Sequence, residues 1–134
     1  MEKETLKKIF TFLEEEENKD KPFMWKLMNN EPLTDEELFV EGDLDLTKTD
    51  IESLPDGLKV EANLSLYGCK NIQSLPEGLE VGGFLDLGYS NITSLPKGLK
   101  VGGRLFIKNT PLTKYSTEEL RQMVNPGYIN DIIR

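Results

Sequence analysis

Leu44-Asp45-Leu46-Thr47-Lys48-Thr49-Asp50-Ile51-Glu52-Ser53-Leu54-Pro55 opens a sentence of about twenty residues that is written three times and begun a fourth. The copies are LDLTKTDIESLPDGLKVEAN (44–63), LSLYGCKNIQSLPEGLEVGGF (64–84), LDLGYSNITSLPKGLKVGGR (85–104) and LFIKNTPL (105–112), the second carrying one extra residue between Cys69 and Ile72. Such a period is the mark of a solenoid, in which a unit too small to bury its own apolar face stacks on its neighbours.

Each place in the repeat has a physical meaning. Leu44 and Leu46, with their equivalents Leu64 and Leu66, Leu85 and Leu87, Leu105 and Ile107, alternate with other residues as a short strand with one inward face requires. Thr49, Cys69, Ser90 and Thr110 stand where the chain leaves that strand, and their side chains are expected to bond to the backbone of the bend as a polar ladder. Ile51, Ile72, Ile92 and Leu112 then return to the core. Ser-Leu-Pro at 53–55, 74–76 and 94–96 predicts extended backbone without a long helix, because proline lacks a donor and pushes its predecessor out of helical geometry. After the bends at Gly57, Gly78 and Gly98, Leu58-x-Val60, Leu79-x-Val81 and Leu99-x-Val101 predict a second, shorter parallel ladder. Gly82-Gly83 and Gly102-Gly103 are expected to turn it into the next strand, with Glu61-Ala62 in that role in the first copy.

The pattern LxLxxTxIxSLPxGL resembles the short LPX-type leucine-rich repeats of bacteria and their phages. The resemblance covers about half the chain and recurs in register. It implies a β-rich leucine-rich-repeat solenoid of short parallel strands, a protein-binding role, and a bacterial or phage setting in which a host or bacterial protein is modulated or inhibited. The added Val-Gly-Gly segment departs from that type.

The whole chain is expected to form one domain: an N-terminal helical cap over 1–41, the solenoid over 42–112 and a C-terminal cap over 113–134. Leu6, Ile9, Phe10 and Leu13 predict an amphipathic helix over 3–17. The apolar run Phe23-Met24-Trp25-Lys26-Leu27-Met28 is expected to plug the first coil; the alternative is a hydrophobic docking segment outside the solenoid, anchored by Trp25. Thr34 with Glu37, and Ser116 with Glu119, have capping-box spacing, so a helical turn is expected before the first strand and a capping helix over 117–124, stopped by Asn125-Pro126-Gly127. Tyr128, Ile129, Ile132 and Ile133 are expected to fold back over the last coil; the alternative is an exposed dimerisation tail.

Net charge is −8, divided unevenly: residues 1–62 hold 18 acidic and 8 basic side chains, residues 63–134 hold 6 and 8. An acidic first half disfavours nucleic acid and suits a basic protein surface. Met1-Glu2-Lys3-Glu4 is charged, and no apolar run has the length of a signal peptide or membrane span, so a soluble cytoplasmic protein is expected. A single cysteine, Cys69, fits a reducing compartment.

The chemistry-bearing residues are few. The chain has no histidine, and no metal or other cofactor is expected. Asp43-Leu44-Asp45-Leu46-Thr47 matches the DxDxT of Mg²⁺-dependent aspartyl phosphotransferases, with Asp43 as nucleophile and Asp45 as acid/base. Leu44 and Leu46 already belong to the repeat, however, and the equivalent positions Asn63, Ser65 and Tyr67, then Phe84, Asp86 and Gly88, vary freely, which makes the match a remote alternative to a non-enzymatic role. Cys69 lies in the polar ladder as a structural thiol.

Residues alternating with the inner leucines predict three outward rows: Asp43, Asn63, Phe84, Arg104; Asp45, Ser65, Asp86, Phe106; and Thr47, Tyr67, Gly88, Lys108, with Tyr89 just beyond. Tyr67, Phe84, Tyr89 and Phe106, bordered by Asp86, Arg104 and Lys108, are the candidate partner-binding surface, since aromatics rimmed by charge are the usual material of a protein hot spot. The expected function is a non-catalytic protein-interaction module. The alternative of another class is a self-associating structural subunit.

Overall fold

A computed structural model of the chain describes residues 22–134. The expected helix over 3–17 lies outside them. The chain divides into two compact units, Met1–Leu33 and Thr34–Arg134. Of the first, the described part holds one helix, α1 (Phe23–Met28).

The second unit is a parallel β-solenoid with a spacing of about twenty residues. It begins with the short helix α2 (Asp35–Leu38), closed by the expected capping box of Thr34 and Glu37. Two ladders follow. In the first, β2 (Leu44–Asp45), β4 (Leu64–Ser65), β6 (Leu85–Asp86) and the end of β7 (Lys100–Phe106) pair in parallel, leucine on leucine. In the second, β1 (Phe39–Val40), β3 (Lys59–Val60), β5 (Glu80–Val81) and the start of β7 pair likewise. Between the ladders each coil runs through its Ser-Leu-Pro stretch without helix, and Gly57, Gly78 and Gly98 make the bend with φ of 83°, 74° and 80°.

The core is the stack of equivalent side chains. Leu46, Leu66 and Leu87, Leu58, Leu79 and Leu99, and Ile72 and Ile92 are fully buried, while Leu54, Leu75 and Leu95 are nearly so. The polar ladder forms as expected. Thr49, Ser90 and Thr110 hydroxyls donate to the carbonyls of Leu46, Leu87 and Ile107 at 2.9, 2.6 and 2.6 Å, and the Cys69 thiol donates to Leu46 at 2.9 Å. The extra residue of the second coil is taken up after Cys69, and the registers Leu64↔Leu85 and Glu80↔Lys100 are kept.

The two glycine pairs behave differently: Gly82-Gly83 bends the chain between β5 and β6 as expected. Gly102-Gly103 does not turn the chain between two strands; it lies inside the continuous strand β7. A Cβ on Gly82 would collide with the Glu61 carbonyl, and one on Gly102 with the Gly82 carbonyl. The glycines serve close backbone approach between successive coils.

Both ladders also extend past the repeat. Phe39 and Val40 supply a rung ahead of residue 42. At the other end, the short 3-10 helix Pro111–Lys114 and α3 (Thr117–Val124), capped by Ser116 and Glu119 as expected, lead to β8 (Tyr128–Ile133). β8 pairs with β7 in parallel, Val101 against Ile129 and Leu105 against Ile132, so the tail forms a further rung on both ladders. Arg121 of α3 donates to the Ile129 and Asn130 carbonyls, and Arg134 donates to those of Thr113 and Tyr115. No helix among the described residues is long and apolar enough to cross a membrane.

Leu66 is fully buried, with Leu46 and Leu87 at the same place in the adjoining coils. Leu66→Asp places an unpaired charge there and is expected to cost more than about 4 kcal/mol, abolishing the cooperative thermal transition seen by circular dichroism.

Candidate functional site

The first ladder carries the outward rows read from the repeat. Asp45, Ser65, Asp86 and Phe106 stand in register, and β8 adds Ile133 to that row beside Phe106. Arg104 has Asp131 as its register neighbour. The C-terminal strand therefore extends this face.

The four aromatic residues group as two pairs. Phe84 and Phe106 meet edge to face, with ring centres 5.8 Å apart and planes at 84°. Tyr67 and Tyr89 lie 5.2 Å apart at 58°. Among the described residues no ring contact joins one pair to the other. The Tyr67 ring covers Gly88, where an added Cβ would stand 3.1 Å from Tyr67 Cδ2. Phe84 is 37% exposed, whereas Tyr67, Tyr89 and Phe106 are half-buried.

Tyr89 is held in the left-handed region, φ 56°, at the bend where the second coil has Gly68. A bulky side chain seldom takes that backbone conformation. Lys70 fastens it: its Nζ donates to the Tyr89 carbonyl at 2.6 Å and lies 5.9 Å from the ring centre. Arg104 and Lys108 are exposed, and Asp86 is half-buried with Oδ1 accepting from Gly88 N at 2.9 Å.

Beside the phenylalanine pair lies a cleft of about 270 Å³ lined by Asp43, Asp45, Thr47, Asn63, Ser65, Phe84 and Asp86. Its carboxylates support the backbone. Asp43 Oδ1 accepts from Asn63 N at 3.0 Å, and Asn63 Oδ1 repeats the bond to Phe84 N at 2.8 Å. Asp45 Oδ1 accepts from both Thr47 N at 3.0 Å and Thr47 Oγ1 at 2.6 Å, and Thr47 Oγ1 also lies 2.7 Å from Ser65 Oγ. The Thr47 hydroxyl and then its N–H hold the Asp45 carboxyl below its ordinary 3.8. Asp43 and Asp45, read together from DxDxT, thus line one cleft. Among the described residues, no group of three or more His, Cys, Asp or Glu side chains is placed to hold a metal ion.

The second ladder has an outward row that the sequence analysis did not single out. Phe39, Lys59, Glu80, Lys100 and Tyr128 succeed one another across the strands. Glu80 pairs with Lys59 at 3.7 Å and with Lys100 at 3.4 Å, above a groove of about 350 Å³. The alternation of Lys59, Glu80 and Lys100 at one repeat position was the available signal.

Two measurements follow from this geometry. Thr47→Val removes the hydroxyl donor, so the Asp45 pKa, followed by NMR, should rise toward 3.8. A depressed carboxylate pKa adds stability above the unfolded value and loses it as pH falls through the folded one, so the variant should lose less stability than wild type on acidification below about pH 4. Tyr89→Gly relieves about 1 kcal/mol of backbone strain and gives up a ring pair worth about 0.5–1.5 kcal/mol. Its thermal midpoint is expected to stay close to that of wild type.

No family model matches this chain, and neither a curated protein nor a solved structure matches it.

Proposed function

We propose that the chain is a non-catalytic protein-interaction module of the LPX leucine-rich-repeat kind, engaging a partner through the outward face of its first ladder. The observation that carries this reading is the pairing of exposed and half-buried rings, Phe84 with Phe106 and Tyr67 with Tyr89, on a rigid parallel ladder and among charged residues. Aromatic anchors that are already supported lose little freedom on binding, which favours their use as hot spots.

The repeat pattern supports a bacterial or phage setting in which a host or bacterial protein is modulated. The phosphotransferase alternative gains little from the cleft. A general acid works best with a pKa near the operating pH, whereas Thr47 holds Asp45 further toward its carboxylate form. Asp43 and Asp45 both spend an oxygen on backbone amides.

Tyr67→Ala combined with Phe106→Ala tests the module. The double variant is expected to keep a cooperative thermal transition and to lose, by at least about tenfold in affinity, a partner that the wild-type protein captures from lysate of the source cell or its host. Unchanged capture by the folded variant overturns the assignment of this face. Capture of nothing but further copies of the chain favours the self-associating subunit.

A further inference from the structure

The first-ladder cleft joins unlike chemistries in its lining, the carboxylates of Asp43, Asp45 and Asp86 and the ring of Phe84. We propose that it receives an arginine side chain of the partner protein, carried on an extended segment whose next residue on the same face, two positions along, is large and apolar and rests on Phe106 and Ile133. This inference rests on the interaction-module reading and names the chemistry of the partner.

The repeat supplies an internal control for the charge. Asn63 performs for Phe84 N what Asp43 performs for Asn63 N, at 2.8 and 3.0 Å. Ser65 Oγ likewise accepts from Tyr67 N at 3.4 Å, at the position where Asp45 and Asp86 accept from Thr47 N and Gly88 N. Where these places hold an acceptor, a neutral one makes the same bond, and Phe84 and Phe106 stand in the same rows with no acceptor at all. The carboxylates exceed what that bond requires, and gathering three like charges in one concavity costs stability. Asp43, Asp45 and Asp86 each bond through Oδ1 alone, and no ion pair reaches any of them among the described residues. Their second oxygens are free to accept.

Phe84 decides which cation fits. It lines the cleft, is 37% exposed and is braced by Phe106. A guanidinium stacks on an aromatic face while its edge donates in pairs to carboxylate oxygens; an ammonium supplies the charge without that planar match. The apolar side of the site continues along the same row, since Phe106 and Ile133 are register neighbours and Ile133 is 37% exposed. From Asp45 to Ile133 the row crosses four strand steps, about 19 Å at the usual spacing, a span that about six extended residues cover.

The test is a titration of the ¹⁵N-labelled protein, followed by NMR, with three blocked octapeptides in which every second residue is serine and the residues between them, which share one face of an extended chain, are leucine together with arginine, lysine or glutamate. The arginine peptide is expected to give saturable shifts at the Thr47, Asn63 and Ser65 amides, the lysine peptide to bind several-fold more weakly, and the glutamate peptide to leave these amides unmoved. Asp45→Asn with Asp86→Asn keeps the oxygen that each bend uses and should weaken the arginine peptide by about tenfold or more. Equal shifts from the arginine and glutamate peptides, or unchanged affinity in the Asn variant, overturn the proposal. Cellular capture that is lost in the Tyr67→Ala/Phe106→Ala variant but indifferent to the Asn variant overturns the arginine assignment and leaves the interaction module standing. Capture indifferent to both variants overturns the module as well. A mass that rises with concentration and falls back in Phe106→Ala also overturns the proposal, because a second copy then covers the face.

Discussion

Everything in the second unit depends on backbone pairing between residues one coil apart. Leu44, Leu46 and Lys48 donate to Asn63, Ser65 and Tyr67 at 2.8, 2.9 and 2.7 Å, and Leu64, Leu66 and Gly68 donate in the same way to Phe84, Asp86 and Gly88 at 3.0, 2.8 and 2.9 Å. Strand segments of two residues would be negligible alone. Here each is one rung of a ladder whose inward leucines stack on identical leucines, so hydrogen bonding and burial reinforce each other at every step. The backbone must come close for this to happen, which explains glycine at 82, 83, 102 and 103.

Such a scaffold divides labour between its two faces. Inward positions have little freedom, because a residue must match the ones above and below it. Outward positions are constrained only where a side chain also closes a bend, as Asp45, Ser65 and Asp86 do. The freedom that remains is spent on rings and charges, and the rigidity beneath them keeps Phe84 against Phe106 and Tyr67 against Tyr89. On the second ladder the same freedom carries the ion pairs of Glu80 with Lys59 and Lys100.

Those features that obey a period were legible before any coordinates. The inner leucines, the Thr49-Cys69-Ser90-Thr110 ladder, both capping boxes and the second ladder over Val60, Val81 and Val101 each follow from a recurring residue type with a local physical requirement. What escaped was set by neighbours distant in sequence. The left-handed bends at Lys48 and Tyr89 have residue types that give no sign of it, although Gly68 and Asn109 at the same position do. The alternation of β8 was hidden because its register shifts between Val101 and Arg104, where two residues of β7, Gly102 and Gly103, stand opposite one of β8, Asn130. The outward rows of the candidate site were readable from spacing, whereas the division of its aromatics into two pairs follows from how Tyr67 folds down over Gly88.

The last rung, Tyr128–Ile133, is built from sequence that does not belong to the repeat, yet it takes its register from the coil before it. The final rung and the coils thus differ in sequence and meet at one interface. Duplicating or deleting a block of about twenty codons between them leaves both ends with the surfaces they already fit. The width of the outward face is accordingly a matter of copy number, while its chemistry is a matter of point substitution, and the two can vary independently in descendants of this chain.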